Sequence, residues 1–146
     1  MRLVRLSHIY DHSPEAVWTV AIDLDCLKEA VRGVLVFEGM PSGAITQGQV
    51  LDVTVSMFGL LPAQPYRMEV VAFDASALCF QSNEQGMGVQ HWLHSLRIVP
   101  HVRGAELIYE IEIEAGWCTP LIAAWARFMY KRRHKPRVEM LKRQLG

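Results

Sequence analysis

The sequence predicts an α+β fold, in which a curved antiparallel sheet carries two short helices after its first strand and a long helix at its C-terminal end. Between Gly48 and Glu114, apolar and polar residues alternate with a period of two, which is typical of strands buried on one face. The pairs Ser13-Pro14 and Thr119-Pro120 place a capping residue before a proline, and so predict helix starts. The order of these signals along the chain gives the fold class.

The elements before the alternating region are short. Strand-forming residues open the chain and stop at a turn rich in Asp, Ser and Pro. Ser13 then precedes an apolar run with Glu15 in the first helical turn, where an acidic side chain is favourable. A second helix is expected to end before Gly33. The predicted elements are a strand over residues 3–10, a helix from Pro14, a helix over Asp25–Val31 and a strand over residues 34–38.

The alternating region is predicted to form an antiparallel meander. In residues 51–57 the odd positions are apolar and the even positions are polar, so one face is buried and the other is wet. The pattern returns in residues 66–70, 78–83 and 107–114, and turn-forming residues separate these runs. One of the predicted turns covers residues 84–88.

A stripe of apolar residues at helical spacing predicts that the long helix after Thr119 lies across the sheet. Pro136 interrupts this helix, because proline lacks a backbone donor and crowds the carbonyl of Arg132. We therefore expect a break between Arg132 and Arg137, with the last segment packed on a different surface or on a partner chain. The stripe comprises Leu121, Ile122, Trp125, Phe128 and Met129, and an out-of-phase set after the proline comprises Val138, Leu141 and Leu145.

The chain has the composition of a globular protein, with 146 residues, 51% hydrophobic and 21% charged. We expect one domain over residues 1–146, since this length suffices for one core. No apolar run reaches the roughly 18 residues of a membrane-spanning helix. The first residues do not resemble a signal peptide, so the expected location is cytoplasmic. Cys26, Cys79 and Cys118 are dispersed, and we therefore expect neither disulfides nor a metal site, and no cofactor.

Basic residues concentrate near the C-terminus, although the formal net charge is zero. Between Arg127 and Arg143 lie eight of the 15 Lys and Arg residues. The main interpretation is a solvated helix face, because the helix dipole favours cations near a C-terminus. Alternatives are contact with anionic lipid or with a carboxylate-bearing ligand. We expect no nucleic-acid partner, since neither a motif nor interleaved aromatic residues support one.

The stretch QHWLHSLRI, residues 90–98, combines two histidines and a tryptophan within a predicted strand. Side chains alternate along a strand, so Trp92 and His94 are expected on the buried face and His91 on the outer face. The two histidines therefore diverge, and a metal site that uses both is not expected. His94 is either a hydrogen-bonded residue of a cavity wall or an acid/base group that titrates near neutral pH.

Three segments carry a family resemblance: HSPEAVWTVAIDLD after the first strand, the strand pair VQHWLHSLRI and GAELIYEIEIEAGW, and FMYKRRHKPRVEMLKRQL at the end. Their order and spacing resemble the helix-grip fold of the START-like SRPBCC superfamily, and within it the polyketide cyclase/dehydrase and lipid-transport branch. Members of this superfamily bind hydrophobic or amphipathic molecules in a cavity between the curved sheet and the long helix, and some are enzymes. The resemblance implies an apolar cavity here and leaves catalysis open.

The expected function is binding of a hydrophobic or amphipathic small molecule of the lipid, polyketide or quinone class. One alternative is a polyketide cyclase/aromatase or dehydratase-like enzyme that uses His94 and Tyr109 as acid/base groups. Another is a protein-interaction or quinone-carrier accessory role. Tyr66 and Glu84, with Ser82 as a further possibility, are polar candidates on the predicted inner faces. The glutamates of the last strand point to solvent, and no carboxylate is obviously committed to the cavity. The predicted ligand-binding residues are Leu51, Val53, Met68, Phe80, Trp92, His94, Leu96, Tyr109, Ile111, Trp117, Trp125 and Phe128.

Two further segments are expected near the cavity mouth. Residues 57–62, MFGLLP, form an apolar hairpin tip that needs cover, and we predict either a gate of the cavity or a homodimer contact. Trp117 precedes the long helix, where its ring is placed to close over a ligand.

Overall fold

A computed structural model describes residues 2–145 of the protein. A single 3-10 turn, Gly116–Cys118, precedes the third helix. The strands are β1 (Arg2–Tyr10), β2 (Leu35–Glu38), β3 (Val50–Met57), β4 (Gln64–Asp74), β5 (Cys79–Gly86), β6 (His91–His101) and β7 (Gly104–Glu114). The helices are α1 (Pro14–Ala21), α2 (Leu24–Ala30), α3 (Thr119–Lys131) and α4 (His134–Leu145).

All strands join in one antiparallel sheet, in the order β1-β7-β6-β5-β4-β3-β2, which curls into a half-barrel. The predicted meander is confirmed, because each strand from β3 to β6 pairs with the next one along the chain. The predicted alternation is also confirmed: every second residue of β7 from Ala105 to Ile113 is fully buried. In β6, Trp92 and His94 are buried on the inner face, whereas Arg97 is exposed.

The two short helices begin at side-chain caps. The hydroxyl of Ser13 accepts a hydrogen bond from the backbone N–H of Ala16 at 3.2 Å, which confirms the predicted start of α1. Asp23 caps α2 in the same way, through a 2.9 Å bond from the N–H of Cys26. This cap places the start of α2 at Leu24, one residue earlier than the pattern predicted. Both caps satisfy donors that the first helical turn leaves without partners.

The C-terminal helical segment is divided, as predicted. Helix α3 ends at Lys131 and α4 begins at His134, so that Pro136 occupies the first turn of α4, where no intrahelical bond is lost. Helix α4 packs against α1 and α2. Its first residues also contact the sheet, since His134 lies against Tyr10 of β1 and Arg137 donates to Tyr109 of β7. Leu141 is 1% exposed, so its side chain is covered within the same chain. The side chain of Leu145 lies outside the described part.

Helix α3 packs on β1 and β7, and its buried side combines two alanines with Met129 and Tyr130. Ala123 and Ala126 are buried, whereas Leu121 is 70% and Phe128 is 42% exposed. The interpretation of Leu121 as a sheet-covering residue was therefore wrong. Leu121 lies roughly half a turn around the helix from these alanines, so its side chain points away from the strands that the helix covers. No helix within residues 2–145 has both the length and the apolar character that a membrane span requires.

Candidate functional site

A cavity of about 590 Å³ lies between the sheet and α3. Its walls are formed by the inner faces of β2 to β6, by the segment that joins α1 to α2, by α3 and by the start of α4. The cavity exists because α3 covers β1 and β7 at one end of the sheet and leaves the inner faces of the following strands uncovered. Its volume falls within the range of about 300 to 1,000 Å³ typical of small-molecule sites.

Most of the predicted ligand-binding residues line this cavity. The sheet contributes apolar walls from four adjacent strands, and α3 contributes two aromatic rings from the opposite side. Contact of these residues with a ligand remains a prediction. The predicted residues found in the lining are Leu51, Met68, Phe80, Trp92, His94, Leu96, Trp125 and Phe128.

Four predicted residues do not line the cavity. Tyr109 and Ile111 belong to β7, which α3 covers, and both are fully buried beneath the helices. Val53 is buried in the core cluster. Trp117 lies in the 3-10 turn before α3 and is 92% exposed, so its ring does not close over the cavity in this structure.

The hairpin tip adjoins α3. The ring of Phe58 meets Trp125 edge-on, with ring centroids 5.8 Å apart, and Trp125 lines the cavity. Leu60 and Leu61 remain 87% and 52% exposed. The structure therefore places Met57 in the cavity wall and Phe58 against it, and leaves Leu60 and Leu61 uncovered.

A buried carboxylate faces the cavity: Glu84, a polar candidate of the predicted inner face, is committed to the cavity wall although the sequence made no carboxylate obvious there. Strand β5 continues through Gly86, so the predicted turn at residues 84–88 starts too early and Glu84 is a strand residue. Its side chain shares the inner face with Phe80 and Ser82, and the residue is only 7% exposed. The period of two already placed Glu84 on this face. The nearby glycines favoured a turn and obscured that signal.

Glu84 is held by two hydroxyl groups. The phenol of Tyr66 donates to its Oε1 atom, and the hydroxyl of Ser82 donates to its Oε2 atom at 3.0 Å. Burial raises the pKa of Glu84, while these two hydrogen bonds and the positive charge of Arg133 act in the opposite direction. Burial, reinforced by Glu84, also raises the pKa of Tyr66 well above its usual value. The phenol of Tyr66 is therefore a stable donor.

His94 stands beside this carboxylate with one nitrogen unoccupied. Its Nδ1 atom is 3.5 Å from the Ser82 hydroxyl and 3.8 Å from Oε2 of Glu84. Because Ser82 already donates to Glu84, the geometry assigns the ring hydrogen to Nδ1. The buried Nε2 atom has no hydrogen-bond partner among the described residues. Burial, with Arg133 and Arg137 as further causes, lowers the pKa of His94 well below its usual value, so the ring is neutral at pH 7.

Two arginines of the basic C-terminal segment enter the cavity wall. Arg133 is 7% and Arg137 is 4% exposed, and both line the cavity, so the interpretation of this segment as a solvated helix face was wrong for these two residues. Arg137 donates to the hydroxyl of Tyr109, which removes Tyr109 as a free acid/base group. Within α4, the spacing of Arg137 and the buried Leu141 by four residues places them on one side of the helix, whereas Arg133 lies in the turn between α3 and α4, where no helical spacing applies.

The polar side chains at this end of the cavity form one group, which we call the polar cluster. The ring of Tyr130 is close to both the histidine and an arginine of this cluster. The ring centroids of His94 and Tyr130 are 5.1 Å apart, and the guanidinium carbon of Arg133 lies 4.0 Å from the centre of the Tyr130 ring. Within residues 2–145, no group of three His, Cys, Asp or Glu side chains is arranged to hold a metal ion. The polar cluster comprises Tyr66, Ser82, Glu84, His94, Arg133 and Arg137.

Solved structures of several proteins share this architecture. Protein CV1439 from Chromobacterium violaceum superposes with a TM-score of 0.75 at 13% identity, covering 96% of this chain and 97% of that chain. Ara h 8.0201 gives a TM-score of 0.74 at 10% identity, with 96% and 97% covered. The Zhui aromatase/cyclase from Streptomyces sp. R1128 gives a TM-score of 0.66 at 13% identity, covering 99% of this chain and 96% of that chain. These likenesses show the helix-grip fold.

Comparison of the sequence with curated proteins gave no match. A family model described as a domain of unknown function matches residues 9–141, a segment that includes the cavity walls and all of the polar cluster. Because this match spans most of the chain, the protein belongs to the DUF8410 family.

Proposed function

We propose that this protein binds a hydrophobic or amphipathic small molecule of the lipid, polyketide or quinone class between the sheet and α3. The observation that carries the proposal is the cavity itself, whose walls are mostly apolar and whose polar groups are concentrated in one cluster. Such a pocket removes an apolar ligand from water and orients its polar end. The likeness to a protein named as an aromatase/cyclase supports the polyketide class in particular. We retain membership of the polyketide cyclase/dehydrase and lipid-transport branch as part of this proposal.

Native mass spectrometry of freshly purified protein tests the proposal directly. The expected result is a species heavier than the bare chain by the mass of one small molecule, released by organic solvent. The matched pair Met68→Trp and Glu69→Trp makes the result specific, because Met68 lines the cavity whereas Glu69 is exposed on the same strand. Loss of the retained molecule in Met68→Trp alone supports binding in the cavity. Retention in both variants would contradict it.

A second candidate is a polyketide cyclase/aromatase or dehydratase-like activity, and the polar cluster favours it. The unoccupied Nε2 atom of His94 can accept a proton, and the buried carboxyl of Glu84 can donate one when it is protonated. The acid/base pair is thus His94 with Glu84, because the hydroxyl of Tyr109 is bound by Arg137 and lies outside the cavity lining.

Retained molecules also distinguish catalysis from simple binding. Cyclisation with dehydration removes one water from the substrate. If the protein is an enzyme, the inactive variants His94→Gln and Glu84→Gln should therefore retain a precursor that is heavier by one water than the molecule retained by the native protein. A carrier should retain the same molecule in all three proteins. The second outcome would leave the enzyme alternative without support.

A further inference from the structure

We propose that the ligand carries a carboxylate, and that the guanidinium of Arg133 binds this group inside the cavity. The inference rests on the proposed function and narrows its ligand to an amphipathic acid. It concerns the polar end of the cavity, beside the turn that joins α3 to α4.

Arg133 is a buried cation whose donors are not used by the protein. A guanidinium carries five N–H donors, yet the side chain of Arg133 makes no hydrogen bond to any residue between 2 and 145. No carboxylate oxygen in that part of the chain lies within 4.0 Å of it. Its Nε atom is buried without a hydrogen-bond partner. The stacking of Arg133 on Tyr130, at 4.0 Å, fixes the plane of the guanidinium without using its in-plane donors.

The charges of the polar cluster leave a positive excess. Arg133 and Arg137 each contribute one positive charge, and His94 is neutral because of its lowered pKa. Glu84 is the single carboxylate in the polar cluster, and its oxygens are already bound by Tyr66 and Ser82. The excess is one charge when Glu84 is ionised and two when it is protonated. A buried charge without a counterion is costly, so a ligand carboxylate supplies what this end of the cavity lacks.

The shape of the cavity orients such a ligand. The lining runs along α3 from Leu121, near its start, to Arg133, just beyond its end. At about 1.5 Å per residue this distance is roughly 18 Å. Leu121 is 70% exposed whereas Arg133 is buried, and from this difference we infer that the cavity opens near Leu121. The carboxylate therefore occupies the inner end, and the apolar part of the ligand extends along α3 toward the opening.

The test compares pyrenebutyric acid with its methyl ester, at a pH where the acid is ionised, by quenching of tryptophan fluorescence. The two probes share the same apolar body and differ in charge. We expect the native protein to bind the acid at least about tenfold more tightly, the ratio expected from a charge-assisted hydrogen bond. Arg133→Met should abolish this preference while the ester still binds. Arg132→Met is the matched control, because Arg132 is exposed and lies outside the lining, and it should keep the preference.

A structural role of Arg133 predicts a different result. If the stacking on Tyr130 mainly stabilised the fold, Arg133→Met would lower the thermal stability of the ligand-free protein and would weaken the binding of the acid and of the ester equally. Removal of an unpaired buried charge should instead leave that stability equal or higher. Should Arg133→Met fail to fold, Arg133→Lys keeps the charge without the planar fork and should reduce the acid-to-ester ratio several-fold.

The outcomes separate this inference from the proposed function. Equal binding of acid and ester by the native protein, or an unchanged ratio in the Arg133 variants, overturns the carboxylate assignment and leaves an apolar cavity site intact. If the native protein binds neither probe and retains no small molecule, both the carboxylate assignment and the proposed ligand-binding function are overturned.

Discussion

Trp92 and His91 are neighbours in β6 but face opposite sides of the sheet. Trp92 is 5% exposed and lines the cavity. The Nε2 atom of His91 lies outside the cavity, 3.6 Å from Oε2 of Glu112 on the adjacent strand β7. The two residues therefore form a natural pair of site variant and control, separated by a single step along the chain.

Trp92→Ala should weaken uptake of an apolar fluorescent probe. Loss of an aromatic contact with the ligand corresponds to about 1 to 3 kcal/mol, or roughly 5- to 150-fold in Kd. His91→Ala should leave Kd nearly unchanged, because its side chain is on the outer face. A titration that gave equal effects for the two variants would contradict a binding site beside Trp92.

Acidification should lower the stability of the protein, because His94 is buried as a neutral ring. The pKa of His94 is lowered in the folded state from 6.5, so its contribution to stability is fully present above pH 6.5 and is lost as the pH falls below that value. The free energy of unfolding of the native protein should therefore decrease on acidification more steeply than that of His94→Gln. Urea denaturation across this pH range measures both slopes. Parallel slopes would show that His94 is not buried as a neutral ring.

His8 should contribute to the same acid sensitivity from outside the cavity. Burial, with His134 and two basic residues as further causes, lowers the pKa of His8 from 6.5 to about 4. Its stabilising contribution is therefore lost between these two pH values. His8→Gln should remove that part of the slope and leave probe binding unaffected, since His8 does not line the cavity. Altered probe affinity in His8→Gln would contradict this separation.

Phe58→Ala should make exchange of the probe faster. The ring of Phe58 covers Trp125 at the cavity wall, and its removal widens access without altering the inner end. Stopped-flow fluorescence should show entry and release rates that both rise several-fold, with a smaller change in Kd. Leu60→Ala is the control, because that side chain is 87% exposed at the same tip. Rates that change only in Leu60→Ala would exclude Phe58 as a gate.

Leu141→Ala should destabilise the protein without direct loss of the cavity wall. Leu141 is 1% exposed, and its helix α4 packs on α1 and α2. Truncation of a buried leucine costs about 2 to 5 kcal/mol. Lys142→Ala, at the next and exposed position, should change stability by no more than about 0.5 kcal/mol. Similar unfolding midpoints for the two variants would contradict the packing of α4.

Local pattern determined the order of the elements and the faces of the strands. Alternation in β6 and β7 placed Trp92 and His94 inward before any tertiary contact was known, because side-chain direction in a strand depends only on position. Ser13-Pro14 predicted the start of α1, and Pro136 predicted the break after α3. These features depend on backbone geometry within a few residues, so a single sequence is enough to reveal them.

Tertiary structure decided which apolar and charged residues meet the cavity. A hydrophobic stripe shows that a helix face avoids water, but it does not show whether that face packs on a sheet or borders a cavity, and so Leu121 was misassigned. Arg133 and Arg137 appeared as part of a basic segment, since local sequence does not show that α3 and α4 fold them against Tyr130 and Tyr109. Burial of a charge depends on residues that are distant in the chain. The polar end of the cavity is therefore a product of tertiary packing.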